Sequence, residues 1–257
     1  MPDLARALRS RKDDGGGAFV PYVTGGLAGV NADLLRGLED AGADAIEVGI
    51  PFSDPVMDGP VIQEASRRAL EDGATPSSVL GIVKEAGLGV PVAVMTYANP
   101  VWHAGHASFL RACVDAGVSG VIVPDLPVDE AGDWLAACEE AAVSPVFLAA
   151  PDSPDARLRA IADASGGFVY CVATYGVTGA RDRLSETATD LVRRLRPATD
   201  LPLLLGVGIS APGQAAQACA FADGVVVGSA LVQPLLEGDW GGVLALAEAF
   251  AAAVHGA

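Results

Sequence analysis

The chain has 257 residues, 51% of them hydrophobic, with 31 glycines and 17 prolines spread along it. This is enough apolar material for a large core, and one α/β barrel accounts for the length as well as two smaller domains would. A formal charge of −16 lacks the basic footprint that nucleic-acid binding requires and reads as an acidic solvated surface.

No apolar run is long enough to cross a bilayer, and Met1-Pro2-Asp3-Leu4 lacks the apolar core of a signal peptide, so a cytoplasmic location is expected. Cys113, Cys138, Cys171 and Cys219 are scattered without a close pair, the pattern of buried reduced thiols rather than of disulfides or zinc. There are only two lysines, Lys12 and Lys84, and three histidines, His103, His106 and His255. Chemistry here falls mainly to carboxylates, hydroxyls and backbone.

In chain order, a short amphipathic helix over 4–11 precedes a polar connector, and 18–24 reads as the first strand. Asn31 is placed to cap a helix through Asp40. Strands are then expected at 45–48, 91–95, 120–123, 145–148, 167–171, 202–206 and 223–227. Between them lie helices at 61–71, 76–85, 107–116, 129–142, 155–164, 186–196 and 211–220, with 231–236 and 242–254 closing the chain. The strands are near-continuous Val/Ile/Leu runs, as strands buried on both faces of a parallel sheet must be. Eight such βα units predict a single (β/α)8 (TIM) barrel domain over 1–257, with an extra N-terminal helix and a short extra helix after strand eight. An open doubly wound sheet is disfavoured because no Gly-x-Gly-x-x-Gly follows the first strand.

Within this alternation, a short apolar strand carries Glu47 at its end, and Asp58 follows on a loop stiffened by Pro51, Pro55 and Pro60. Two carboxylates so placed suit acid/base chemistry; a strand-end Glu and a turn Asp account for the same residues structurally. In such barrels the site lies at the C-terminal ends of the strands, with phosphate often bound after strands seven and eight. Gly206-Val207-Gly208-Ile209-Ser210, Gly228-Ser229-Ala230 and, in loop six, Gly176-Val177-Thr178-Gly179-Ala180-Arg181 lie at those positions. Glycines let the backbone approach an anion, and helix-start N–H groups bind it. Arg181 is either a further anion contact or a solvated loop arginine.

A Schiff-base mechanism needs a strand lysine, whereas Lys12 precedes strand one and Lys84 lies on a helix. His103 and His106 have no obvious third ligand, so no metal site is expected. Tyr22, Tyr97 and Tyr170 fall at or just beyond strands one, three and six, as an aromatic pocket or as barrel packing.

The chain resembles the tryptophan synthase α subunit family from the first strand to the last helix. The resemblance is carried by Glu47-Val48-Gly49-Ile50-Pro51-Phe52-Ser53-Asp54-Pro55 with Asp58-Gly59-Pro60 and Ile62-Gln63. Met95-Thr96-Tyr97-Ala98-Asn99-Pro100, Pro124-Asp125-Leu126-Pro127, Gly176-Val177-Thr178-Gly179 and Gly228-Ser229-Ala230 follow in the family's order. It implies retro-aldol cleavage of indole-3-glycerol phosphate to indole and glyceraldehyde 3-phosphate in tryptophan biosynthesis, without a cofactor in this chain. Glu47 matches the acid/base residue, and Asp58 the carboxylate that binds the indole N–H. Gly179, Gly208, Gly228 and Ser229 match the phosphate site, and Tyr22, Tyr97, Tyr170 and Thr178 border the indole. The resemblance also implies a lid around Thr178. Asp54 and Pro55 match a loop facing a pyridoxal-phosphate-bearing β subunit in an α2β2 complex.

The chain departs from the family at Gly25-Gly26-Leu27-Ala28, where Gly-Asp-Pro is usual, at Met57, where a smaller residue is usual, and at Tyr22, where Phe is common. A free-standing lyase and a non-catalytic regulatory subunit are the alternatives.

Overall fold

The computed structural model describes residues 2–13, 15–172, 186–206 and 208–257. Thr178, Gly179 and Arg181, with the rest of the expected lid, lie outside the described residues. Nine parallel strands among the described residues form one sheet: β1 (Ala18–Thr24), β2 (Ile46–Gly49), β3 (Val92–Met95), β4 (Val118–Ile122), β5 (Ser144–Val146), β6 (Leu148–Ala149), β7 (Val169–Val172), β8 (Leu203–Gly206) and β9 (Gly224–Val227). Their order is β5-β4-β3-β2-β1-β9-β8-β7-β6. The sheet's two ends, β5 and β6, are separated only by Phe147, so it curls into a nearly closed barrel.

That break is one difference from the expected single strand over 145–148. Pro145 has no N–H to donate, and the segment changes neighbours within four residues. Its first half pairs with β4 and its second with β7, where Tyr170 N donates to the Phe147 carbonyl (3.0 Å). The strands carry almost no polar side chains because both faces are covered; β1, β2, β4, β8 and β9 are buried at every position.

Helices α2 (Ala32–Asp40), α3 (Pro60–Glu71), α4 (Pro76–Ala86), α6 (His106–Ala116), α7 (Gly132–Ala141), α8 (Asp155–Ala164), α9 (Glu186–Leu195) and α10 (Pro212–Cys219) alternate with the strands along the chain. Asn31 caps α2 by accepting from Leu34 N (3.0 Å), as expected. A further helix, α5 (Ala98–Ala104), lies where no element was expected. Proline is tolerated in a helix's first turn, where no intrahelical N–H bond is made. The expected extra helices are α1 (Leu4–Asp13) and α11 (Ser229–Glu237), and α12 (Trp240–His255) ends the chain. Leu4 and Leu8 of α1 are buried. A Cβ on Gly120 or Gly167 would lie 2.6 or 2.5 Å from Leu4 Cδ2, so these glycines make room for it at the N-terminal end of the barrel.

Two buried aspartates pin strand starts in the same way. Asp44 donates its N–H to the Phe19 carbonyl (2.9 Å), and its Oδ2 accepts from Phe19 N (2.8 Å). Asp223 makes the same pair of bonds with Leu203, at 3.0 and 2.9 Å. Arg11 and His255 complete Asp44, and Arg196 completes Asp223, so each buried charge is paired.

The unusual first loop is built on close packing. A Cβ on Gly25 would fall 2.4 Å from Val79 of α4, and Gly26 has φ +81. Among the described residues, no helix is long and apolar enough to cross a membrane.

Candidate active site

Glu47 is the one ionisable side chain in an otherwise apolar β2, placed in register with Tyr22 of β1. It is 1% exposed, and its Oε2 has no hydrogen-bond partner among the described residues. A buried carboxylate without a donor favours its neutral form, so burial pushes the carboxyl up to about 8, assisted by the negative charge of Asp58. A buried acid with an unpaired oxygen costs folding free energy, and such groups cluster where chemistry is done.

Asp58 sits at the end of loop 53–58, just before Gly59 and Pro60 start α3. Its backbone is fixed by Asp58 N donating to the Pro55 carbonyl (3.0 Å) and by Gln63 Nε2 donating to the Asp58 carbonyl (2.9 Å). Burial raises its carboxyl to about 6, against a lowering hydrogen bond from the Tyr97 hydroxyl (3.1 Å). Tyr97 Oη also accepts from Met57 N (3.0 Å), and its ring stacks on Phe52 with centroids 5.1 Å apart.

The other two tyrosines lie against glycines. A Cβ on Gly49 would come 2.1 Å from Tyr22 Oη, and one on Gly206 would come 2.3 Å from Tyr170 Oη. Glycine at the ends of β2 and β8 therefore admits the two phenols. Tyr22 accepts from Thr24 Oγ1 (3.4 Å). Burial, added to by the charges of Asp58 and Glu47, raises the phenol of each well above its ordinary value. Tyr22, Glu47, Asp58, Tyr97 and Tyr170 thus form one electrostatically coupled group of two acids and three neutral hydroxyls.

Beside it lies the glycine-rich end. Gly228 is the residue before α11, and Ser229 is the first in that helix. A Cβ on Gly228 would be 3.6 Å from Tyr22 Cδ1, so this helix start borders the ring of Tyr22. Gly208, after neighbouring β8, has φ +90, a conformation that L side chains rarely adopt. Helix-start N–H groups, a serine hydroxyl and a left-handed glycine after the adjoining strand are the chemistry of an anion cradle.

On the outer side of loop 53–58, Asp54 is exposed and accepts from Ser53 Oγ (2.6 Å). Pro55 is half-buried, and Val56 (78%) and Met57 (53%) are exposed apolar side chains. Trp102 of α5 is also exposed (58%). Both lysines are exposed on outer helices, α1 and α4. His106 packs edge-on against Trp134 (5.7 Å), and no group of three or more potential metal ligands occurs among the described residues.

The family model described as tryptophan synthase alpha chain matches residues 8–249. The chain belongs to the tryptophan synthase alpha chain family. It is 44% identical to the alpha chain of Streptomyces avermitilis over 92% of its own length and 87% of that protein's. It is 46% identical to the alpha chain of Mycobacterium bovis over 86% and 83%. Among solved structures, ligand-free tryptophan synthase from M. tuberculosis superposes with a TM-score of 0.90 at 38% identity, covering 99% of this chain and 100% of that one. A chain of the Pyrococcus furiosus tryptophan synthase α2β2 complex gives 0.85 at 40% identity, covering 91% and 98%. The alpha chain family works without a cofactor in general.

Three contacts around this alpha chain site escaped sequence reasoning: the Phe52 stack, the Thr24 bond to Tyr22, and Asp125 Oδ1 accepting from Ala98 N (2.8 Å) at the start of α5. Phe52 and Asp125 stand inside motifs that the sequence singles out, but nothing in their spacing tells which neighbour they touch.

Proposed function

We propose that this chain is the α subunit of a tryptophan synthase, a lyase that splits indole-3-glycerol phosphate into indole and glyceraldehyde 3-phosphate. The observation that carries the reading is the buried Glu47 carboxyl beside Asp58, its Oε2 without a hydrogen-bond partner among the described residues. A carboxyl raised to about 8 holds a proton at neutral pH and can deliver it to C3 of the indole ring. Protonation leaves a cation on the ring nitrogen, and the carboxylate of Asp58 stabilises it. The hydroxyl on the carbon joined to C3 then returns a proton to Glu47 as that carbon–carbon bond breaks. The bond's electron pair neutralises the ring, the hydroxyl-bearing carbon becomes the aldehyde, and Glu47 ends protonated as it began.

Tyr22 and Tyr170, with Thr178, are the walls proposed for the indole, and Tyr97 borders it from the side of Asp58. Gly208, Gly228 and Ser229, with Gly179, are proposed to hold the phosphate. The distance between the two ends of the substrate is then spanned over Tyr22, which borders Gly228 and couples to Glu47. The loop of Asp54 and Pro55 is proposed to face a β subunit, supported by the exposed Val56 and Met57 beside them in the chain. Pyridoxal phosphate is expected in that partner alone, and the complex in the cytoplasm.

The test is indole release from indole-3-glycerol phosphate by purified protein, with and without a cognate β subunit. Weak activity that rises strongly with the β subunit supports the α-subunit reading. Vigorous activity unaffected by the partner makes the chain a free-standing lyase, and no cleavage in either condition overturns both.

A further inference from the structure

We propose that Tyr97 is a positioning residue for Asp58, its hydroxyl tying the loop that carries this carboxylate to the end of β3 and holding it towards Glu47. The inference rests on the lyase reading above and assigns Tyr97 a different duty from lining the indole.

Hydrogen-bond polarity fixes the direction of the tie. A phenol has one proton to donate and lone pairs to accept with. The Met57 N–H can only donate, and Tyr97 Oη accepts it at 3.0 Å. The phenolic proton is therefore available for Asp58 Oδ2, 3.1 Å away. A donated proton is complementary to the carboxylate form, so the bond favours both the place and the charge that binding an indole N–H requires.

The ring is held independently of this bond. Tyr97 is 2% exposed, stacks on Phe52, and precedes α5 in extended conformation, while the next residue's N–H is fixed by Asp125. Loop 53–58 is thereby registered on the third and fourth βα units rather than on its own strand. The charged and titratable groups facing Asp58 among the described residues are Glu47 from β2, Tyr22 from β1, Tyr170 from β7 and Tyr97 itself, with Asp125 beyond Tyr97. None of these is a cation. The Tyr97 hydroxyl is accordingly the group that offsets the burial of this carboxylate.

Tyr97→Phe keeps the ring and its stack and removes only the hydroxyl. The expected result is an acid limb of the kcat profile for indole release moved upward by about one pH unit, the size of a lost hydrogen bond to a charged group. Near pH 6.5 turnover falls about threefold, and the deficit narrows towards pH 8 as Asp58 ionises. Carbon-13 NMR of the Asp58 carboxyl, assigned with Asp58→Asn, should show the same upward move without substrate. An unmoved acid limb and carboxyl titration, with only KM raised, would make Tyr97 a pocket wall and overturn the proposal. If wild-type protein releases no indole, or Asp58→Asn retains full turnover, it is the lyase reading that fails. The NMR titration then still decides whether Tyr97 governs Asp58.

Discussion

Asp58 faces Glu47 closely enough that its negative charge adds to burial in raising the Glu47 carboxyl to about 8, while Asp58 itself lies at about 6. Two acids with separated proton affinities give one proton donor and one anion at neutral pH, the division of labour that the proposed cleavage needs.

Turnover should therefore be bell-shaped in pH. It rises as Asp58 ionises near 6 and falls as Glu47 loses its proton near 8. Glu47→Gln and Asp58→Asn should each lower kcat by about 10²-fold or more, and each should erase the limb belonging to the replaced acid. Steady-state indole release across this range checks both; a wild-type profile flat from 6 to 8 would contradict the assignment.

The same raised proton affinity predicts a stability effect. Glu47 titrates at 4.5 ordinarily and at about 8 in the folded protein. Below 4.5 both states hold the proton; above it the unfolded chain releases the proton that the folded chain retains. Folding stability contributed by this group is thus present at low pH and lost as pH rises through 8, by at most about 1.4 kcal/mol per pH unit. Glu47→Gln lacks this loss. Its melting temperature relative to wild type should climb between pH 5 and 8 and then level off, measured by differential scanning calorimetry without substrate.

Ser229→Ala should weaken binding rather than chemistry. Losing one hydroxyl donor to a phosphate raises KM by about tenfold and leaves kcat within about twofold. Inorganic phosphate should become a correspondingly weaker competitive inhibitor. A loss confined to kcat would remove Ser229 from the phosphate site.

Asp44→Ala should destabilise the barrel far from the site. It strips Phe19 N–H, Arg11 and His255 of a shared buried acceptor, a loss of about 2–4 kcal/mol in urea unfolding. Asp44→Asn keeps an acceptor for Phe19 and should cost less. The Michaelis constant of the folded variants should stay at the wild-type value.

Sequence by itself determined the alternation of strands and helices, because a strand covered on both faces must be apolar throughout, and eight such runs separated by capped helices have few other packings. It also singled out Glu47, since an acid in an apolar strand is chemically conspicuous, and Asp58 after it in a proline-stiffened loop. The extra helix after strand eight was legible from Leu231 onward by the same local logic, though α11 begins two residues earlier, at Ser229. Only the tertiary structure decided what depends on approach between distant segments: the break at Phe147, where one strand changes neighbours, and the short helix α5 after Tyr97. The paired aspartates 44 and 223 belong here too; an Asp directly before an apolar strand was the available signal, but its acceptor role exists only once the preceding strand lies alongside. Tyr22 and Tyr170 needed Gly49 and Gly206 opposite them, and Tyr97 turned its hydroxyl to Asp58, 39 residues away in the chain. Side-chain identity is written locally, whereas hydrogen-bond partnership and desolvation are properties of the assembled barrel, and those two set the ionisation of its acids.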